Sequence, residues 1–177
     1  MSSWTSGYVA DVGYTHGFYR ELTPALLCLI ALAKGVRATS PNGPVAYCEL
    51  GCGQGFSANL IAAANPQMQV YATDFNPAHI LNARSLAAET GASNVQFFDQ
   101  SFKDFGDEPN LPAFDIIALH GIYSWITPEH RADIVEFIRR KLKPGGLVYI
   151  SYNALPGFSL RRMNSTMSPR CSGVIQL

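Results

Sequence analysis

VAYCELGCGQG, residues 45–55, sets a short apolar run against a glycine-rich turn. Val45, Ala46, Tyr47 and Cys48 suffice for one buried strand, and Glu49 stands at its end. Gly51, Gly53 and Gly55 then fall at every second position before FSANLIAAA begins a helix. Strand, tight turn and helix make the first half of a βαβ unit, whose turn lets a ligand lie on bare backbone. A dinucleotide fingerprint counted from Gly51 wants its third glycine where Phe56 stands. A P-loop wants Gly-Lys-Ser/Thr, and the turn holds no lysine. Glu49 would repel pyrophosphate at close range, so the turn suits a ligand that brings positive charge to this spot.

S-adenosylmethionine carries such charge on its ammonium and sulfonium groups, and the turn reads as a site for that cofactor. ELGCGQG resembles the first motif of the class I S-adenosylmethionine-dependent methyltransferases. YTHGFYRELTPALL (14–27), LHGIYSWIT (119–127) and LKPGGLVYISYNALPG (142–157) resemble one bacterial branch of them more closely. In that branch, which includes protein-lysine methyltransferases, a regulatory domain follows the catalytic one. The resemblance spans residues 8–157 and implies a Rossmann-like, doubly wound, mostly parallel α/β sheet with a protein lysine as methyl acceptor. It also implies that the segment holding Tyr14, His16, Tyr19 and Glu21 folds over the cofactor's methionine end. The residues alone equally allow an amphipathic lead-in.

One domain is the natural count for 177 residues, and 47% hydrophobic residues can fill a sizeable core. Thirteen basic and thirteen acidic side chains leave no general field for nucleic acid. Cys28, Cys48, Cys52 and Cys171 show no C-x-x-C spacing and read as free thiols in a reducing compartment, with no metal site. MSSWTSGYVAD lacks the features of a secretory signal. The apolar run Ala25 to Ala33 is far short of the ~20 residues a membrane helix needs. The expectation is a cytoplasmic protein with no membrane or nucleic-acid partner.

Thr23-Pro24 opens a first helix that Gly35 closes. After the central turn and its helix, MQVYATDF forms a second strand ending at Asp74, 19 residues (74 − 55) beyond Gly55. At that spacing an acidic residue hydrogen-bonds ribose hydroxyls in dinucleotide-type folds. Phe75 and Asn76 follow, with Asn76-Pro77 starting a helix to Thr90 and Gly91 stopping it. Ile80, Leu81, Leu86 and Ala87 are expected on its sheet face, and His79 on its surface. Val95 to Phe98 is a third strand. By the resemblance, an adenine contact falls on Ser101 with Phe102 beside the ring, or on Asp99 instead. GDEPNLPA reads as an exposed connection, and FDIIAL (114–119) as a buried central strand.

That strand delivers His120-Gly121 and then Tyr123 and Trp125 to the end of the sheet where ligands lie. His120 and Tyr123 are the catalytic candidates, His120 as a wall of the cofactor site that could handle a proton and Tyr123, or Trp125, as a guide for the substrate amine, with His120 and Gly121 lining the methyl end. Thr127-Pro128-Glu129 starts a helix with Ile134, Val135, Phe137, Ile138 and Leu142 toward the sheet. Arg139, Arg140, Lys141 and Lys143 complement its dipole, and Pro144-Gly145-Gly146 turns into a fifth strand, Leu147 to Tyr152.

The expected organisation is a lid segment and helix over 1–44, a cofactor-binding core over 45–153 and a divergent tail over 154–177. Only 24 residues (177 − 153) follow Asn153, polar and basic, with VIQL alone able to form a strand. The resembling fold continues with a helix and a reversed pair of strands. The expectation is therefore a shortened chain whose last strands are missing, whose tail is disordered or partner-dependent, and whose fifth strand is an open edge covered in a homodimer. Cofactor residues are expected at Tyr14, Tyr19, Glu49, Gly51, Cys52, Gly53, Gly55, Asp74, Phe75, Asn76, Ser101, Phe102, His120 and Gly121. The expected activity is methyl transfer. The rival readings are a non-catalytic cofactor-binding module and a nicotinamide oxidoreductase.

Overall fold

The computed structural model describes residues 17–40 and 43–153, with the backbone of 171–176. A 3-10 turn, Arg20–Leu22, leads into α1 (Pro24–Ala33). There follow β1 (Ala46–Leu50), α2 (Phe56–Ala64), β2 (Gln69–Asp74), α3 (Pro77–Thr90) and β3 (Val95–Asp99). Then come α4 (Phe102–Asp107), β4 (Phe114–Leu119), α5 (Pro128–Lys141), β5 (Leu142–Tyr152) and β6 (Cys171–Gln176). The strands form one sheet in the order β3-β2-β1-β4-β5-β6. The first five are parallel, as expected of the fold class, and β6 runs antiparallel to β5.

Alternation along the strands sends side chains to two apolar layers. Tyr47, Ile116, Ala118, Leu147 and Tyr149 pack with Leu27, Ala58, Ile61 and Ile80 on the α1–α2–α3 side. Cys48, Leu50, Ile117, Leu119 and Val148 pack with Phe105 and Phe137 on the α4–α5 side. All six residues of β4 are buried, as a strand covered by helices on both faces requires. The order departs from β1 in two directions, toward β2 and toward β4. The crevice at their carboxyl ends is the switch point where such sheets hold ligands.

Local rules account for most helix ends. The side chains of Asn76, Ser101 and Thr127 accept from backbone N–H groups of α3, α4 and α5, and Gly91 ends α3 at φ 67°. Thr23 differs: its hydroxyl donates to Arg20 O at 2.6 Å and leaves α1 without a side-chain cap.

Several expectations are corrected. The tail supplies β6, so β5 is not an open edge and the reason for covering it in a homodimer falls away. The rest of the tail lies outside the described residues. Gly106 and Asp107 belong to α4 and Leu111 is buried, so GDEPNLPA is not wholly an exposed connection. β5 begins at Leu142, and its pairing with β4 skips from Phe114↔Leu142 to Ile116↔Leu147. Gly146 permits that irregularity, since a Cβ there would lie 3.0 Å from both Asp115 O and Lys143 O. Leu81 (69% exposed) and Val135 (56%) face outward, whereas His79 (8%) is buried. Among the described residues no helix is long and apolar enough to cross a membrane, and Cys28, Cys48 and Cys52 are free thiols.

Candidate active site

The cleft at the head of β1 and β4 has a volume of about 200 Å³. Its floor is Glu49, Gly51, Cys52 and Gly53, with Gln54, Phe56 and Ser57 on the α2 side. Gly17 and Tyr19 lie on the N-terminal side and His120 and Gly121 at the end of β4.

The turn is held from beneath by β2. Gly51 and Cys52 both donate their N–H groups to Thr73 O, at 2.8 and 3.0 Å. Gly53 N–H donates to Asp74 Oδ2 at 2.9 Å. Thr73 reaches onward, its hydroxyl 2.8 Å from Gln100 O. Gly51 stands at φ 70°, and a Cβ there would lie 2.8 Å from Ile122 Cδ1, so glycine lets the turn close against the loop after β4.

Glu49 is 4% exposed, and its Oε2 is buried without a hydrogen-bond partner among the described residues. Burial first, and the neighbouring Asp74 charge second, push its carboxyl up to about 8. A buried acid with one oxygen unsatisfied, at the floor of a cleft, is what a cationic ligand group would complete. Burial likewise pushes the Cys52 thiol well up, with the nearby Glu49 and Asp74 adding to it, which disfavours a reactive thiolate.

The N-terminal segment is clasped onto this frame. Ser57 Oγ accepts from Tyr19 N–H at 3.2 Å and donates to Gly17 O at 3.3 Å. Tyr47 OH donates to Leu22 O at 3.1 Å. The Tyr19 ring stacks on His120 with centroids 4.4 Å apart. His120 Nδ1 lies 3.0 Å from Tyr149 OH, and Gly121 N–H donates to Ser151 Oγ at 2.6 Å. Ser57→Ala removes both bonds of the clasp, with an expected stability loss of about 1–2 kcal/mol. Hydrogen exchange of the Tyr19 amide should accelerate at least tenfold, and unchanged protection would show that the clasp does not hold the segment.

Of the residues expected at the cofactor, Tyr19, Glu49, Gly51, Cys52, Gly53, His120 and Gly121 line the cleft. Gly55 sits behind it, and Asp74 braces the turn from below. Phe75 and Asn76 lie off the cleft wall, Asn76 being engaged in capping α3. Ser101 caps α4 and bonds Asp104, while Phe102 is buried among the residues of the α4–α5 side. Tyr14 lies outside the described residues. Tyr123 packs under Arg131, whose guanidinium carbon is 5.4 Å from the ring centroid. Gly17, Gln54, Phe56 and Ser57 escaped the sequence reading, although Ser57 is legible as the second residue of a helix that opens on a ligand turn.

An open sheet with a glycine turn and a carboxylate floor at its switch point is a nucleotide-cofactor site of the Rossmann-like kind. A family model described as a methyltransferase domain matches residues 48–148. The uncharacterized protein sll1526 of Synechocystis is 54% identical over 160 residues, 90% of this chain and 31% of that protein. The structure of PKMT2 from Rickettsia typhi in complex with AdoHcy superimposes with a TM-score of 0.77 at 25% identity, covering 85% of this chain and 28% of that one. N-terminal Xaa-Pro-Lys N-methyltransferase 1 of Ailuropoda melanoleuca is 26% identical over 114 residues, 64% of this chain and 50% of that protein. The chain therefore spans about a third to a half of the length of these relatives. It belongs to the methyltransferase domain family, in its class I, S-adenosylmethionine-dependent form.

Proposed function

We propose that this chain holds S-adenosylmethionine in the cleft at the head of β1 and β4 and serves methyl transfer to a protein lysine. The buried Oε2 of Glu49, unpartnered among the described residues, carries the reading, because a cationic group of a ligand would complete it. Glu49 receives the ammonium of the cofactor's methionine end, and Tyr19 and Ser57 close that end from water. Asp74 offers Oδ2 to the ribose from beneath the turn. When bound, the cofactor supplies a methyl already activated on a sulfonium. The protein has then to aim the acceptor, keep water out and let the acceptor shed a proton. A lysine must reach the site as a neutral amine, although its ordinary pKa is ~10.4. His120, with Nδ1 3.0 Å from Tyr149 OH, stands at the end of β4 as an ionisable wall of the cleft. A relative named for methylating N-terminal Xaa-Pro-Lys supports a protein amine as acceptor.

Calorimetric titration with S-adenosylhomocysteine tests the cofactor site. A Kd near ~1 µM, about −8 kcal/mol, is expected, and absence of binding at millimolar ligand would remove the assignment. Methylation is tested separately, by mass analysis of lysine-bearing protein substrates incubated with the chain and S-adenosylmethionine. Cofactor consumption with transfer only to oxygen or carbon would overturn the acceptor class.

A further inference from the structure

His79, the third residue of α3, is buried and faces Asp74. Its Nδ1 lies 3.2 Å from Asp74 Oδ1, and its Nε2 lies 3.4 Å from Asn76 Nδ2. Asn76 fixes which ring nitrogen carries the proton. Its Oδ1 is committed to Ala78 N–H at 3.0 Å, so its NH₂ is the group that meets the imidazole. An amide NH₂ only donates, which makes Nε2 the acceptor and places the ring proton on Nδ1, donated to Asp74.

The acceptor count at Asp74 is then nearly complete. Oδ1 accepts from Asn76 N–H at 3.0 Å and from His79, and Oδ2 accepts from Gly53 N–H at 2.9 Å. An ionised carboxylate offers about four acceptor directions. Both on Oδ1 are filled, and among the described residues one on Oδ2 remains.

We infer that His79 is a positioning residue: by filling Oδ1 it sets the rotation of the Asp74 carboxylate, presents the last acceptor direction of Oδ2 to a ribose hydroxyl, and so tunes the site's preference for a ribose over a deoxygenated sugar. The inference rests on the ribose reading of Asp74 given above. Without the imidazole the terminal torsion of Asp74, which is intrinsically broad, loses one of the three donors that hold it.

The test compares S-adenosylhomocysteine with its 2′,3′-dideoxy counterpart by calorimetry. The wild-type chain is expected to bind the hydroxylated ligand at least about tenfold more tightly, as loss of a hydrogen bond to a charged group implies. His79→Leu should cut that ratio to about threefold or less while leaving affinity for the dideoxy ligand within about twofold. His79→Asn, whose amide N–H can replace Nδ1–H, should restore most of the ratio. Asn76→Ser keeps a capping hydroxyl but removes the NH₂ that sets the tautomer, so it too should lower the ratio, and it serves if His79→Leu does not fold. Equal weakening of both ligands would mark a merely structural role and overturn the inference, as would an unchanged ratio in His79→Leu or, where that variant does not fold, in Asn76→Ser. A wild-type chain that binds both ligands equally would overturn the ribose role of Asp74 and this inference together. Wild-type discrimination that survives removal of His79 would overturn this inference alone.

Discussion

Glu49→Gln is expected to make the ligand-free chain more stable and the cofactor complex weaker. The folded-state pKa of Glu49 is raised from 4.5 to about 8. An acid raised on folding favours the native state fully below its unfolded pKa, and that contribution is lost as pH rises toward the folded value. For Glu49 the loss runs from about pH 4.5 to about pH 8 and amounts to a few kcal/mol. Glutamine keeps the shape and cannot ionise, so denaturation midpoints of the variant should exceed wild type by a margin that grows over this window and levels off above it. Affinity for S-adenosylhomocysteine should fall about 10- to 100-fold, the worth of a charge-assisted hydrogen bond. Below pH 8, binding to wild type should also release a proton, seen as a dependence of the calorimetric heat on the ionisation enthalpy of the buffer. A heat independent of buffer would remove Glu49 from the ammonium site.

The largest stability loss is expected at Gly55. It caps α2 at φ 69°, and a Cβ there would stand 2.4 Å from Ala83 Cβ and 2.8 Å from Phe97 Cε1. Gly55→Ala therefore combines the left-handed penalty of about 1–2 kcal/mol with overpacking of about 1–3 kcal/mol, roughly 2–5 kcal/mol together. Gly91→Ala is the control, with φ 67° and nothing within 4 Å of the added carbon, and should cost about 1 kcal/mol. Urea midpoints of the two variants decide the matter, and equal losses would refute the close packing of α2 on α3 and β3. Ala83→Gly placed on Gly55→Ala should recover part of the deficit.

What could be read from the chain was what depends on neighbours in sequence. Asn76-Pro77, Thr127-Pro128 and Gly91 mark helix ends by their own chemistry, and each occupies that place in the structure. The apolar run FDIIAL needs only its composition to be a central strand. What depends on packing was hidden. Leu81 and Val135 look like core residues by type, yet the rotation of their helices turns them outward. His79 looks like a surface residue by type, yet the same α3 presses it onto Asp74. Helix α4, at six residues, is too short to show a period, although Ser101 with Asp104 three residues on marks its start. Pairing of β6 with β5 joins segments about twenty or more residues apart, and no local pattern encodes it. Within the cleft the glycine turn and His120 were legible, while Phe56 and Ser57 enter only because α2 begins where the turn ends.

The amides of Gly51, Cys52 and Gly53 are fastened to Thr73 and Asp74, and this bears on how the site exchanges with its surroundings. A turn so rich in glycine would, left alone, open on the timescale of a surface loop. Here its hydrogen-bond acceptors belong to β2, so these amides should exchange with solvent at the pace of the sheet. The floor of the cleft is then held in one shape by β2 without any ligand. Association should be limited by passage between Tyr19 and His120, and mutations that loosen the N-terminal clasp should change the on-rate more than the shape of the floor.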